Sequence, residues 1–301
     1  MQSTKSIPVI LVLAATVLAA LTATTASGAA ERGGRWKIAL TTNREGDSEI
    51  YSMYADGTGV RRLTHSPKFD GAGPWSPDGR KMLFYSQRTG GGGVWVMNAD
   101  GSGQRWLSRN PSFNAPGGWS PDGRKILFTS NRDGNNEVYV MNADGSGQHN
   151  LLPSPSSDDW AGGWSPDGRT ITFLTNRDGH YEIYAMNSDG TDLRNLTHDP
   201  RNVARTGGFV MSPDGRKIVF GSTRDTHDED NTELYLMNAD GSNVRRLTHS
   251  PGIEVPMSWS PDGRKIAFGR IPSQPRWAFF VMNGDGSRVR KVNWSLPRTK
   301  P

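Results

Sequence analysis

A five-residue motif that recurs at nearly constant spacing constrains the fold of this chain more than any other feature. Ser-Pro-Asp-Gly-Arg occurs five times without change, beginning at Ser76, Ser120, Ser165, Ser212 and Ser260, at intervals of 44 to 48 residues. A second motif, Met-Asn-Ala-Asp-Gly-Ser or a near variant, begins at Met53, Met97, Met141, Met186, Met237 and Met282. A period of this length indicates a tandem array of one structural unit.

Each motif predicts a tight turn between two strands. In Ser-Pro-Asp-Gly, proline presets φ at the first central position, aspartate hydrogen-bonds local backbone and glycine takes the left-handed conformation. Strand-like runs flank the turns, such as Lys125 to Thr129 and Glu137 to Met141, and a short outer strand such as Val244 to Thr248 follows. Each repeat therefore predicts four antiparallel strands, named A to D from the inside outward.

Four strands per unit and a period of about 40 to 50 residues are typical of β-propeller blades, which bury their faces by packing around an axis. The chain is therefore predicted to be all-β, with a six-bladed propeller over residues 31–297 and a tail at 298–301. The predicted repeats are about 35–75, 76–119, 120–164, 165–211, 212–259 and 260–297. Only five strands A are evident, so the first blade takes its inner strand from Glu31 to Gly34 or from Asn293 to Pro297, and ring closure stays open.

The first 30 residues are predicted to be a signal peptide. Lys5 precedes an uncharged run from Ile7 to Leu21, and small residues follow as far as Ala30. The apolar run is shorter than the roughly 20 residues that span a bilayer as a helix, and a retained anchor is the alternative. We therefore expect an exported protein that is secreted, periplasmic or associated with the cell envelope, and free of the membrane after cleavage.

Composition excludes several classes of function. Cysteine is absent, which excludes disulfides, a thiol nucleophile and thiolate metal sites. The formal net charge is +5 at pH 7, and the basic residues are spread along the repeats without a dense patch. This distribution argues against nucleic-acid binding. We also expect the protein to be a monomer.

The segments Gly118 to Arg124, Asn131 to Gly134 and Glu137 to Met141 together resemble the TolB-type propeller family of WD40-like Pro-Asp repeats. The resemblance covers essentially the whole chain after the predicted signal. It implies an exported six-bladed propeller that binds a lipoprotein and other partners at the mouth of its central channel. The N-terminal α/β domain that accompanies the propeller in TolB has no counterpart in these residues.

Positions that vary within an otherwise constant repeat are the candidate binding residues. Strand A is expected to begin five residues before the tryptophan of the Trp-Ser-Pro segment. In the repeat that has Met211 in place of this tryptophan, the candidate is Arg205, which lies one residue further upstream. With Trp160 added, the candidates are Asp70, Asn114, Asp159, Trp160, Arg205 and Glu254. We expect them to line one mouth of the channel and to suit a basic peptide, a cation or a polar sugar. The alternative is that they only solvate loop ends.

Residues that recur in most blades are expected to serve the blades themselves. A tryptophan precedes Ser-Pro in four repeats and is expected to pack between blades, with a ligand-stacking platform as the alternative. An arginine recurs at one position of the repeat, at Arg44, Arg88, Arg132, Arg177, Arg224 and Arg270. We interpret these arginines as ties between blades, with a ring of anion-binding groups as the alternative.

Metal binding and catalysis have little sequence support. His65, His198 and His249 follow outer strands of separate repeats, so they are not expected to converge on one metal. The insertion 225–231 concentrates carboxylates, and its candidate calcium ligands are Asp228, Glu229 and Asp230, with a solvated hairpin tip as the alternative. No other cofactor is expected, and no Gly-x-Ser-x-Gly motif occurs.

The sequence therefore predicts a non-catalytic module that binds a protein or a cell-envelope partner, including a polar polysaccharide or a peptide, at its channel mouth. Two alternatives stay open. One is a carbohydrate-active enzyme similar to propeller polysaccharide lyases, with a metal in the channel. The other is a sensor ectodomain or scaffold.

Overall fold

The computed structural model describes residues 37–43, 46–54, 57–199, 208–226, 231–271 and 278–292, and within these ranges every regular element is a β-strand. Residues 1–36, which include the predicted signal peptide, lie outside the described residues. In the described ranges, no helix is present that has the length and apolar character needed to cross a membrane.

The strands form six antiparallel sheets in chain order, which we call blades 1 to 6. Blade 1 contains β1 (Lys37–Thr42), β2 (Glu49–Tyr54) and β3 (Arg61–Arg62). Blade 2 contains β4 (Asp70–Trp75), β5 (Lys81–Ser86), β6 (Gly93–Asn98) and β7 (Arg105–Trp106), and blade 3 contains β8 (Asn114–Trp119), β9 (Lys125–Ser130), β10 (Glu137–Asn142) and β11 (His149–Asn150). Blade 4 contains β12 (Asp159–Trp164), β13 (Thr170–Thr175), β14 (Glu182–Asn187) and β15 (Arg194–Asn195). Blade 5 contains β16 (Phe209–Met211), β17 (Lys217–Ser222), β18 (Glu233–Asn238) and β19 (Arg245–Arg246), and blade 6 contains β20 (Ile253–Trp259), β21 (Lys265–Ile271), β22 (Ala278–Asn283) and β23 (Arg290–Val292).

The Ser-Pro-Asp-Gly motif forms the predicted turn between strands A and B. In blade 3 the Ser120 hydroxyl donates to Asp122 Oδ1 at 2.6 Å and accepts the Lys125 N–H at 2.8 Å, which holds the two strands together. Gly123 closes the turn with φ of 70°. The hydroxyl and backbone hydrogen bonds lower the pKa of Asp122, and the equivalent aspartates of blades 2, 4, 5 and 6 behave in the same way.

Apolar clusters between neighbouring blades close the sheets into a ring. Five of the six clusters join consecutive blades, and each contains a fully buried phenylalanine of strand B: Phe84, Phe128, Phe173, Phe220 and Phe268. The sixth cluster brings Ile38, Leu40 and Met53 of blade 1 against Met257 and Val281 of blade 6. The predicted all-β, six-bladed propeller is therefore confirmed, and the ring closes by packing between its first and last blades.

The fourth strand of blade 1 is not among the described residues. The three described strands pair in the order β1-β2-β3, which corresponds to B, C and D of the other blades. Both segments proposed for its inner strand, 31–34 and 293–297, lie outside the described ranges. Their roles stay predictions.

Each blade has two distinct ends along its strands. At one end strand A begins and strands B and C are joined, as shown by the pairing of Asp70 with Ser86 and of Ser86 with Gly93. We call this the arginine end, because the B–C turn carries the recurring arginine. The opposite end carries the Ser-Pro-Asp-Gly turns and is called the proline end.

The closing cluster makes a stability prediction. Leu40→Ala should lower the free energy of unfolding by about 2 to 5 kcal/mol, because Leu40 is fully buried in the cluster between blades 1 and 6. Urea denaturation measures the change. Leu193→Ala, at a side chain that is 36% exposed, is the control and should change stability by less than about 0.5 kcal/mol.

A double-mutant cycle tests the closure itself. The effects of Leu40→Ala and Met257→Ala on the free energy of unfolding should differ from additivity by roughly 0.5 kcal/mol or more. The reason is that the two residues pack in one cluster, from blade 1 and blade 6 respectively. Additive effects of the two substitutions would contradict the packing of blade 6 against blade 1.

Candidate functional site

At the arginine end, strand A carries a buried polar side chain at its first residue in blades 2, 3 and 4 and at its second residue in blade 6. Asp70, Asn114, Asp159 and Glu254 are each 0% exposed. Arg177 Nη2 lies 3.2 Å from Asp159 Oδ2 and Arg270 Nη2 lies 2.6 Å from Glu254 Oε1, while Arg88 binds Asp70 in the same way. Each carboxylate is thus neutralised by the arginine of its own blade.

This burial corrects one expectation from the sequence. Asp70, Asn114, Asp159 and Glu254 were expected to be an accessible lining of the channel mouth, but the structure places them inside the sheets. The physical reason is that an arginine of the same blade covers each of them. In blades 2, 3 and 4 this arginine lies two residues after strand B and folds back over the blade. Arg270 of blade 6 instead lies within strand B, directly opposite Glu254, so it does not share the repeat position that the sequence suggested. Whether the mouth binds a partner through other groups is a separate question and stays a prediction.

The buried carboxyl groups are perturbed by their surroundings. Removal from water raises the pKa of Asp70, Asp159 and Glu254, and the hydrogen bonds and charge of the paired arginines oppose this increase without cancelling it. We interpret the groups as structural, because each is paired with an arginine of its own blade that also stacks on core rings. We call the recurring arginines and their partners at this end the ladder.

The arginines tie the sheets together, as the sequence predicts. Arg177 lies over the rings of Phe173 and Tyr184, with its Cζ 5.5 Å and 5.2 Å from the centroids. In blade 2, Arg88 Nη1 donates to Gln104 Oε1, and the Gln104 amide donates to the Leu63 carbonyl of blade 1 at 3.2 Å. The contact thus extends from one blade to the next.

Blade 5 forms its ion pair differently. Arg224 Nε lies 2.9 Å from Asp199 Oδ2, and Asp199 follows the outer strand of blade 4. This pair therefore joins two blades directly. Arg205, the candidate of this blade, lies outside the described residues.

A track of aromatic side chains crosses blades 2, 3 and 4 at the arginine end. Phe69 contacts Tyr85 with centroids 5.9 Å apart, Tyr85 contacts Phe113 at 5.8 Å, and Phe113 contacts Trp160 edge-on at 5.9 Å. Phe69, Phe113 and Trp160 are partly exposed, whereas Tyr85 is buried. Of the sequence candidates, Trp160 alone is both described and partly exposed. The sequence signal for the other two rings is that each directly precedes a strand A.

Sequence reasoning also missed a set of buried glutamates that begin strand C. Glu49, Glu137, Glu182 and Glu233 are 1 to 2% exposed. Glu233 binds Arg246 at 2.7 Å and accepts the Thr248 hydroxyl at 2.7 Å, so it fastens the short outer strand to strand C. Their signal in the sequence is a glutamate two positions before a tyrosine in four of the six repeats.

At the proline end, the tryptophans pack between blades as expected. Trp119 Nε1 donates to the Pro74 carbonyl of blade 2 at 3.3 Å, and Trp259 Nε1 donates to the Val210 carbonyl of blade 5 at 3.3 Å. Grooves of about 750 and 550 Å³ separate the turns of blades 2, 3 and 4 at this end. Because the groove recurs between blades, we interpret it as a consequence of blade packing.

The described residues contain no group of three or more histidine, aspartate or glutamate side chains placed to hold a metal ion. The calcium candidates Asp228, Glu229 and Asp230 lie outside the described residues. His65, His198 and His249 follow the outer strands of blades 1, 4 and 5, on separate sheets. A calcium site at these three residues stays a prediction.

The six antiparallel sheets pack around one axis, and the recurring charged side chains hold their strands together. This chain is therefore a six-bladed β-propeller. A sequence profile described as TolB beta propeller domain matches residues 15–117 and 103–226. The chain belongs to that family.

Known proteins agree with this assignment. The structure of a TolB from Agrobacterium tumefaciens has a TM-score of 0.68 and 26% identity, over 78% of this chain and 84% of that one. TolB from Acinetobacter baumannii has a TM-score of 0.69 and 23% identity, over 83% of this chain and 61% of that one. A TolB homolog of Chlorobium chlorochromatii is 50% identical over 40 residues, which is 13% of this chain and only 9% of that protein. An oligogalacturonate lyase in complex with manganese shares the fold at 16% identity and a TM-score of 0.59.

The ladder makes a pH prediction for Asp159→Asn. Burial holds the pKa of Asp159 above its usual value of 3.8, so ionisation of this group opposes folding. The stability that it contributes is present below that usual value and is lost as pH rises through the higher pKa of the folded state. The wild-type protein should therefore lose stability relative to the variant as pH increases from about 4 to neutrality.

Urea denaturation at a series of pH values measures this difference. Asp167→Asn, in an exposed turn where hydrogen bonds lower the pKa, is the control and should show the opposite trend below pH 4. A wild-type advantage that grows with pH would mean that the ion pair to Arg177 outweighs desolvation.

Proposed function

We propose that this protein is an exported, non-catalytic binding module that docks a protein partner of the cell envelope at the arginine end of its propeller. The observation that carries the proposal is the aromatic track of Phe69, Phe113 and Trp160. These rings are partly exposed and lie on three adjacent blades. Aromatic residues dominate the energetic centres of protein interfaces.

The different distribution of the charged side chains and of the aromatic rings along the repeats supports this proposal. The repeated charged side chains are used within and between blades, whereas the rings vary from blade to blade. The residues that precede strand A in blades 2, 3 and 4 are Phe69, Phe113 and Asp158, and strand A of blade 4 then supplies Trp160. Variation on a constant scaffold is where a repeat protein places its specificity.

Export is part of the proposal and rests on the sequence of residues 1–30, with a basic start, an apolar run and small residues. A protein without cysteine is compatible with an oxidising compartment, because its stability depends on core burial alone. Secreted, periplasmic and envelope-associated locations all fit this reading.

An enzyme is the second candidate, because the oligogalacturonate lyase that shares the fold contains manganese. Among the described residues of this chain, no cluster of metal-ligating side chains accompanies the fold. Incubation of the purified protein with polygalacturonate, followed by ultraviolet detection of unsaturated products, tests this alternative. Release of such products would contradict the binding-module proposal.

The aromatic track makes a binding prediction. The double variant Phe69→Ala and Trp160→Ala should reduce capture of envelope proteins by about tenfold or more, because both rings are partly exposed at the proposed interface. Affinity purification from a native envelope extract, with mass spectrometry of the captured proteins, measures the effect.

Val289→Ala is the matched control, because this side chain is apolar, is 45% exposed and precedes the outer strand of blade 6 away from the track. Its capture should equal that of the wild-type protein, and thermal melts should show that all variants are folded. Equal capture by the double variant and the control would place the interface elsewhere.

A further inference from the structure

The ladder of ion pairs is interrupted in blade 3. Arg88, Arg177, Arg224 and Arg270 each bind a carboxylate, from Asp70, Asp159, Asp199 and Glu254 respectively. In blade 3 the equivalent position of strand A is Asn114, which is neutral and fully buried. Arg132 is thus the one described ladder arginine that faces an amide in place of a carboxylate.

The hydrogen bonds of Arg132 all go to neutral groups. Nη2 donates to Asn114 Oδ1 at 3.1 Å and to Gln148 Oε1 at 2.9 Å, and Nε donates to Ser130 Oγ at 2.9 Å. Within the part of the chain that the structure describes, Nη1 has no acceptor and the guanidinium has no salt bridge. The guanidinium is therefore held in place while its charge stays unmatched.

The neighbouring carboxylate of Asp133 acts on Arg132 through its charge but forms no salt bridge with it. Asp133 is exposed and accepts hydrogen bonds from the Tyr139 hydroxyl and from Asn150. The Arg132 guanidinium instead lies over the Tyr139 ring, 4.6 Å from its centroid. Burial lowers the pKa of Arg132, and charge interactions with Tyr139 and Asp133 oppose this shift without cancelling it.

This unmatched cation lies beside the middle of the aromatic track. Phe113 directly precedes Asn114, and its backbone exchanges hydrogen bonds with Asn131, the residue before Arg132, at 2.9 and 3.2 Å. The Phe113 ring lies between Tyr85 and Trp160. Arg132 is itself partly exposed.

We propose that Arg132 is the anchor for a carboxylate of an acidic peptide segment, whose apolar side chains contact Phe113 and Trp160. The proposal rests on the function proposed above and specifies the chemistry of the partner. An arginine held by neutral acceptors on two of its nitrogens keeps its remaining donors for an incoming carboxylate. Removal of the predicted signal peptide takes away Lys5 and leaves 34 lysines and arginines against 30 aspartates and glutamates, and this formal net charge of +4 further favours an acidic partner over a basic one.

This assignment reverses the charge expected of the ligand. A lining of free carboxylates would suit a basic peptide or a cation, but those carboxylates are buried and paired. The interruption in blade 3 leaves a positive group at the same end of the ring.

Asn114→Asp is the sharpest test, because it gives blade 3 the residue that blades 2 and 4 already have. The variant should retain or gain thermal stability and should bind an acidic probe about tenfold more weakly, because the new carboxylate occupies Arg132. The probe is a fluorescein-labelled peptide of alternating glutamate and phenylalanine, and fluorescence anisotropy with the full chain gives the Kd. The same peptide with glutamine in place of glutamate should bind the wild-type protein about tenfold more weakly.

Asn187→Asp is the charge-matched control, because it adds the same charge at an exposed residue that ends strand C of blade 4, away from the arginine end. It should bind the acidic peptide as the wild-type protein does. Arg132→Gln provides a second route if Asn114→Asp does not fold, and it should weaken binding to a similar extent.

Equal binding of the acidic peptide by the wild-type protein and by folded Asn114→Asp or Arg132→Gln would overturn the assignment of Arg132. So would failure of the wild-type protein to bind the peptide. Binding of trigalacturonate that Asn114→Asp abolishes, without binding of the peptide, would assign the anchor to a sugar acid and overturn the peptide proposal. If the Phe69 and Trp160 variant still loses envelope capture in any of these cases, the docking function stands and only the carboxylate anchor fails.

Discussion

Apolar packing between neighbouring blades is the interaction on which the whole structure depends. No single blade encloses a core of its own, because each sheet is one layer thick and its two faces are covered by the sheets on either side. The fully buried phenylalanines of strand B and the methionines of strand C sit in these interfaces, one cluster between each pair of blades. Because the chain has no cysteine and therefore no disulfide, ring closure between blades 1 and 6 depends on apolar packing, as do the other five interfaces.

Burial of charge is the second constraint, and it follows from the first. Once strand A is enclosed by its neighbours, a carboxylate at its first position must be paired or neutralised. An arginine of the same blade pairs with it and stacks on rings of the core. This arginine lies two residues beyond strand B in blades 2 and 4, and within strand B in blade 6. Such pairs are a weak source of net stability, and their value here lies in fixing how strand A, the B–C turn and the preceding blade are oriented relative to one another.

The same reasoning separates scaffold from function in this protein. Side chains that recur with their partners, such as Asp159 with Arg177, are accounted for by the blade. Where one partner changes, as at Asn114 opposite Arg132, the hydrogen bond is kept but no salt bridge forms among the described residues. The charge of that arginine is what we propose a ligand uses. Phe113 and Trp160, whose rings are partly exposed, belong to the same part of the arginine end. The arginine without a salt bridge and the exposed aromatic surface therefore occur together there.

The sequence by itself determined the fold to a large extent: the repeated Ser-Pro-Asp-Gly turns, the strand patterns and their period predict six antiparallel blades, because turn chemistry and strand periodicity are local properties. Its reading of the site was less complete. It placed Asp70, Asn114, Asp159 and Glu254 correctly at the start of strand A, but it expected them to be accessible, and it overlooked Phe69, Phe113 and the glutamates of strand C. Only the tertiary structure decided which polar groups are buried, which arginine pairs with which carboxylate and which one is left without a counter-charge. Those outcomes depend on how a side chain folds over its own sheet and against the next one, and no local pattern in the chain encodes that distance.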